Sequence, residues 1–245
     1  MSVIKHCLCL VLLLIHSGFA AADVREDQLR AGIAAMGRQH YATAMRAWYD
    51  LAVAGDAEAQ NNMGYLYEEG LGVAQQYDVA MDWYRRAAES GSSEAEHNLG
   101  MMYVGGRGVA KSWSQGLMHF RKSAVQGLVE SRYMIALSYF EGEGQIQNRR
   151  LALEGFKDTA AEGYPNSQYM LSFILLDGTD TKAKPAQAWV WASLAVSQGQ
   201  AQGEEIRDAA QMRLDERDVD DAQFVLSQCE ARGLRSCVPA IETLP

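Results

Sequence analysis

Positive charge is scarce in this chain of 245 residues: 22 lysines and arginines stand against 31 aspartates and glutamates, a formal net charge of -9. A nucleic-acid binder needs a basic stripe to meet phosphates, and an anionic membrane surface asks for the same, so the balance argues against both. Histidine is rarer still. Past residue 22 only His40, His97 and His119 remain. They do not pair at a metal-ligand spacing such as i, i+4, and no carboxylate pattern completes a site. There is no Gly-x-Ser-x-Gly elbow, no phosphate loop, no dinucleotide fingerprint and, past residue 22, no Ser-x-x-Lys. Doublets such as Glu68-Glu69 and Asp220-Asp221 read as solvated helix ends. The expectation is a protein that is not an enzyme, with no catalytic residue, metal or cofactor. Proline is also sparse, at four residues, whereas glycine numbers 22 and apolar residues make up 48%. That mixture suits helices interrupted at regular places by glycine, around a core large enough for one domain.

The first residues do not read as part of the fold. Lys5 gives a positive start, Leu8 to Ile15 an apolar run, and Ser17 to Ala22 a small-residue stretch before Asp23. This is the layout of a secretory signal peptide over residues 1–22, with cleavage expected after Ala22 or, as the alternative, Ala20. The apolar run is shorter than the roughly 20 residues a membrane-spanning helix needs. The expected location is periplasmic or secreted, with no integral membrane segment after cleavage. Cys7 and Cys9 leave with the signal. Cys229 and Cys237 remain, and an even pair in an exported chain points to a disulfide.

Past the signal, a 36-residue period governs the chain. Gly55, Gly91, Gly127, Gly163 and Gly199 keep it, as do Gly70, Gly106, Gly142 and Gly178. Trp48, Tyr84, Phe120 and Phe156 form an aromatic column in the same register, and Ala44, Ala80, Gly116, Ala152 and Ala188 a small-residue one. Each unit reads as two helices, the first over about Ala57 to Glu69 and the second over about Tyr77 to Glu89. The column Gly64, Gly100, Ala136, Ser172 asks for small size in mid-helix, which implies close approach of a neighbouring helix. Asp56 and Ser92 suit helix N-caps, Ser93-x-x-Glu96 a capping box one residue later, and Pro165 a first helical position. Four units are expected at 57–92, 93–128, 129–164 and 165–200. A degenerate repeat at 23–56 and helices at 201–232 should cap them, with 233–245 as a tail. Val219, Ala222, Leu226 and Cys229 would form the inward stripe of the closing helix.

Met63-Gly64-Tyr65-Leu66-Tyr67-x-x-Gly70-x-Gly72-Val73, followed by Ala80-x-x-Trp83-Tyr84-x-x-Ala87-Ala88-x-x-Gly91, resembles the Sel-one-like repeat, a tetratricopeptide-like α/α hairpin. Leu99-Gly100-x-x-Tyr103-x-x-Gly106-x-Gly108-Val109 repeats it. Unit three departs at Gln145, where the pattern has valine. Unit four departs at Asp180, where it has the second glycine. The resemblance implies an all-α, right-handed superhelix of helix-turn-helix repeats. It implies scaffold or adaptor work through contact with a protein or peptide; exported bacterial members serve envelope assembly, signalling or host contact.

In such a superhelix the first helix of each pair lines the concave side. Spacing then places Tyr65, Glu68, Glu69, Met101, Tyr133, Phe140, Tyr169 and Phe173 on a groove that is aromatic with an acidic edge. Aromatic anchors commonly dominate interface energies. The alternative class is a cell-wall or glycan-binding module, since rings in a groove stack on sugars as readily as they grip a peptide. The chain is expected to be a monomer.

Overall fold

The computed structural model describes residues 24–179 and 182–245. The segment read as a signal peptide lies outside them, as do Asp180 and Thr181 of the lengthened unit-four loop. Among the described residues there are thirteen helices and no strand. The first, α1, covers 24–37. Then follow α2 (Tyr41–Val53), α3 (Ala57–Glu69), α4 (Tyr77–Glu89), α5 (Ser93–Gly105), α6 (Trp113–Val125) and α7 (Val129–Glu141). The remainder are α8 (Arg149–Ala161), α9 (Pro165–Asp177), α10 (Pro185–Ser197), α11 (Gly203–Gln211), α12 (Glu216–Arg232) and α13 (Leu234–Thr243). The chain divides into two compact units, Met1–Lys111 and Ser112–Pro245.

From α2 to α10 every helix is 13 residues long, and side-chain caps open α3, α5, α6 and α8. Asp56 caps α3 by accepting the Ala59 N–H at 2.8 Å, and Ser92 caps α5 by accepting that of Ala95 at 3.0 Å. Each satisfies a donor that the first turn leaves without a partner. Ser92 therefore does the capping; the capping box centred on Ser93 does not form, and Glu96 is buried instead. Pro165 opens α9, where a missing N–H costs nothing. Gly70 ends α3 at φ 68°, a left-handed conformation that glycine adopts without steric cost. Two residues on, Gly72 lies under the start of α2. A Cβ there would sit 2.8 Å from the Tyr41 Cβ. The loop thus closes over α2 only with a residue that has no side chain at position 72.

Within each unit the rings of the second helices point into the core. Trp48 is 3% exposed, and Tyr84, Phe120 and Phe156 are fully buried. Burial of each such side chain contributes about 1.5–3 kcal/mol. The small-residue column faces these rings: a Cβ on Gly64 would lie 2.6 Å from the ring of Tyr84. A related contact joins α7 to α8, where the place of a Cβ on Gly155 is 2.8 Å from the Cβ of Ala136.

In the second unit α10 is apolar all round, and α9, α11, α12 and α13 pack on it. Residues 233–245, expected as a tail, hold the helix α13. Cys229 and Cys237 form a disulfide with Cα atoms 5.1 Å apart, which fastens α13 to α12. Beyond α13 the chain reaches the start of α10, which has no side-chain cap. There Pro245 O accepts the Ala186 N–H at 3.1 Å, and the Gln187 amide donates to the carbonyls of Glu242 and Leu244. The buried stripe of α12 is Ala222, Val225 and Cys229. Val219 and Leu226, expected in it, are half-buried at its margin.

The Gly64 contact gives a direct test. Gly64→Leu should destabilise the protein by about 1–3 kcal/mol through overpacking, although leucine favours helix over glycine. Urea unfolding followed by circular dichroism measures it. An unchanged midpoint would show that α3 and α4 can part without loss.

Candidate functional site

The first-helix faces left free by this packing are the candidate interaction surface, and they are described unit by unit. In the first unit, Tyr65 is 44% exposed, Met101 is half-buried and Glu69 is exposed. Beside Tyr65, the Asn98 amide donates to Asn61 Oδ1 at 2.9 Å and links α5 to α3. Toward the start of α3 this face opens into a polar cavity of about 420 Å³ lined in part by Arg25, Glu58, Asn62 and Glu94. Arg25 pairs there with Asp56, and its guanidinium is raised above the ordinary arginine range, chiefly by that hydrogen bond.

Glu68, expected in the groove, is elsewhere. Its residue is 5% exposed. It accepts the Tyr84 hydroxyl at 2.6 Å, and Arg107 reaches it at 2.5 Å. The carboxylate therefore ties α4, and the loop after α5, to α3. Burial, then the neighbouring carboxylate, raises the Tyr84 phenol far above its usual range, so this hydroxyl stays a donor. Glu68 is structural in this arrangement, and an acidic groove edge in this unit falls to Glu58, Glu69 and Glu94.

In the second unit Phe140 corrects the same expectation. It is 9% exposed, lies edge-on to Phe156 at 6.1 Å and to Phe173 at 6.5 Å, and has the Arg149 guanidinium 4.1 Å above its ring. Glu68 and Phe140 occupy one repeat position, together with Val104 and Leu176. That position faces inward. Three apolar residues out of four were the signal in the sequence.

Phe173 is 38% exposed and Tyr169 half-buried. Tyr133 is half-buried as well, with its ring 5.2 Å from that of Tyr164 and 5.8 Å from that of Phe156. Burial, then the adjoining Tyr164 and Tyr169, pushes its phenol up to about 12. The exposed members of the expected strip are thus Tyr65, Glu69 and Phe173, while Met101, Tyr133 and Tyr169 are half-buried. Tyr65, Met101, Leu137 and Phe173 share one repeat position, and each is apolar or aromatic. Among the described residues no group of three or more His, Cys, Asp or Glu side chains could hold a metal ion.

The Sel1 repeat family model matches residues 57–92, 93–128, 129–154 and 165–200, more than half of the chain. This chain belongs to the Sel1 repeat family. Solved structures similar to this Sel1 repeat protein include a protective antigen present in uropathogenic Escherichia coli strains and displaying an SLR fold. The two share 23% identity at a TM-score of 0.75, over 90% of this chain and 48% of that one. The chain thus spans about half the length of that antigen. A Sel1 repeat protein from Oxalobacter formigenes is similar at 19% identity and a TM-score of 0.67, over 87% of this chain and 83% of that one. At such identities the likeness is one of fold: an all-helical Sel1-like solenoid. No curated protein matches the chain. Sel1 repeats are typically protein-interaction scaffolds.

The raised phenol of Tyr133 has a definite pH signature. An unfolded tyrosine ionises near pH 10. With the folded value raised to about 12, the stability Tyr133 contributes is complete below about pH 10 and is lost as pH rises through the folded value. Ultraviolet titration of the folded protein should show Tyr133 ionising about two pH units above the ordinary tyrosine value, and Tyr133→Phe should remove one phenol from that late phase. Ionisation of Tyr133 near the ordinary value would contradict its burial.

Proposed function

We propose that this Sel1 repeat protein is a non-enzymatic scaffold or adaptor that works in the periplasm or after secretion. It binds a protein or peptide through the first-helix faces of its repeats. The observation that carries this reading is the repeat position of Tyr65, Met101, Leu137 and Phe173. Its two aromatic members remain 44% and 38% exposed, while the rings of the second helices are spent on the core. Large rings held on rigid helices lose little entropy on binding and are frequent interface anchors. The exposed acids Glu58, Glu69 and Glu94 of the first unit favour a basic or polar partner segment. Export is supported by the charged, apolar and small-residue order of residues 1–22 and by the Cys229–Cys237 disulfide, a bond characteristic of oxidising compartments. In this reading 23–56 and 201–232 cap the four repeats, and the protein acts as a monomer.

The decisive comparison is capture of partners from envelope extract by the natural chain and by a Tyr65→Ala, Phe173→Ala chain. Circular dichroism should stay helical, with a lower melting temperature from loss of the Phe173–Phe140 edge contact, while capture falls at least tenfold, about 1.4 kcal/mol. High salt should weaken capture as well, through screening of the acidic residues. Undiminished capture by the double variant would place the binding surface elsewhere. Retention on purified peptidoglycan without protein capture would favour the glycan-binding class.

A further inference from the structure

The third repeat lacks a side chain that the first and fourth repeats use to close their cores, the second carrying a half-buried His119 at the same position. Trp83 in α4 and Trp191 in α10 occupy the same repeat position, and both are buried, at 9% and 3% exposure. In α8 that position is Gly155, one residue beyond the point where the third family match stops. Trp83 belongs to an apolar cluster with Met63, against which Tyr67 and Val79 pack. The equivalents of those three residues are Ile135, Tyr139 and Leu151. They do not meet a ring. They line an apolar cavity of about 260 Å³, floored by Ala136 and Gly155. The consequence shows in the burial of the central aliphatic residue. Met63 and Leu171 are 0% and 1% exposed, whereas Ile135 at the same position is half-buried.

We propose that this cavity is a binding site for one aromatic side chain, an indole above all, carried by a partner segment with a basic residue beside it. The shape argument comes from the molecule itself, since the same three-walled surroundings hold the indole of Trp83 in the first repeat. The volume falls below the 300–1,000 Å³ typical of drug-sized ligand sites, which suits a single ring system. The charge argument comes from the rim. In the first repeat Arg86 lies 4.9 Å over the indole of Trp83. Asp158 stands at that position in the third, its side chain 62% exposed. Its partner Arg132 is shared, since both guanidinium nitrogens also serve Glu162. The rim thus offers the exposed Asp158 carboxylate, ion-paired on one side to the cavity-lining Arg132, where the first repeat has Arg86 alone over the ring. An incoming lysine or arginine would complement it, while the apolar walls take the ring. This site deepens the reading of the chain as an interaction scaffold and depends on it only for the source of the ligand.

The test uses defined probes on the whole mature chain: an acetylated, amidated Lys-Trp-Lys tripeptide and the same tripeptide with leucine for tryptophan. Titration followed by backbone amide shifts should move Ala136, Leu151 and Gly155. Nuclear Overhauser contacts should run from the indole to the methyl groups of Ile135 and Leu151. The leucine probe should bind at least fivefold more weakly. Gly155→Trp should abolish binding by filling the cavity. Because a side chain at 155 meets Ala136, the paired Ala136→Gly, Gly155→Trp variant restores the glycine that the Trp83-bearing repeat has at the equivalent position, Gly64, and serves if the single variant does not fold. Absence of indole contacts to Ile135 and Leu151 in the natural chain would overturn the proposal, as would equal binding by a folded, filled variant. Because the probe is defined, this outcome is independent of whether the first-helix faces capture a partner.

Discussion

The structure depends on a column of large rings on the second helices, Trp48, Tyr84, Phe120 and Phe156, buried in the core; in the first repeat a small residue on the first helix lets the backbones come close around the ring. Tyr84 against Gly64 shows the limit, with no room for even a Cβ. An α/α hairpin cannot bury such a ring alone, so each hairpin needs its neighbour, and the core becomes a chain of similar contacts. The constant helix length, the glycine ends and the closing of each loop over the preceding second helix keep that contact in register. Tyr41 and Tyr77 lie under Gly72 and Gly108 in the first unit, and Trp113 lies under Gly144 in the second. In the fourth repeat both positions change together in the sequence, to Arg149 and Asp180.

Against this constant frame, the departures carry the specific properties of the molecule. Where the first repeat has an acid at an otherwise apolar position, Glu68, the structure supplies the Tyr84 hydroxyl and Arg107 to satisfy it. An unpaired buried charge there would cost several kcal/mol, so the three residues must be read together. Where the third repeat drops a tryptophan, the core opens to solvent at Ile135. Where the first-helix position of Tyr65 and Phe173 stays apolar, its two aromatic members remain partly in water. In each case, packing that is finished or left unfinished decides whether a residue serves the fold or remains available to a partner.

Much of the frame was legible in the sequence, because it rests on local chemistry repeated four times. The bounds of α3 and α4, the caps at Asp56 and Ser92, the proline that opens α9 and the Cys229–Cys237 pairing all follow from residue type and spacing. The groove was only partly legible. Glu68 and Phe140 lie three residues beyond Tyr65 and Leu137, a rotation of about 300° around the helix. They therefore sit at the border between groove and core, where spacing cannot choose a side. Comparison down the column of Glu68, Val104, Phe140 and Leu176 would have chosen correctly. Tyr133 lies at the same kind of border, with a ring that reaches Phe156. The helix α13 was missed because its stripe is short and Pro239 interrupts it. The cavity at Gly155 was missed because a lone glycine in a helix shows nothing until the walls around it are seen.

The most direct measurement of the central claim is the unfolding free energy of Phe156→Ala set beside that of the natural chain. Phe156 is fully buried, and Tyr133 and Phe140 both rest against its ring. Its loss should cost about 3–5 kcal/mol and should bring the Tyr133 phenol back toward the ordinary tyrosine range. A loss below about 1 kcal/mol, within what a conservative core swap costs, and an unmoved Tyr133 would mean that the ring column is not what holds the repeats together.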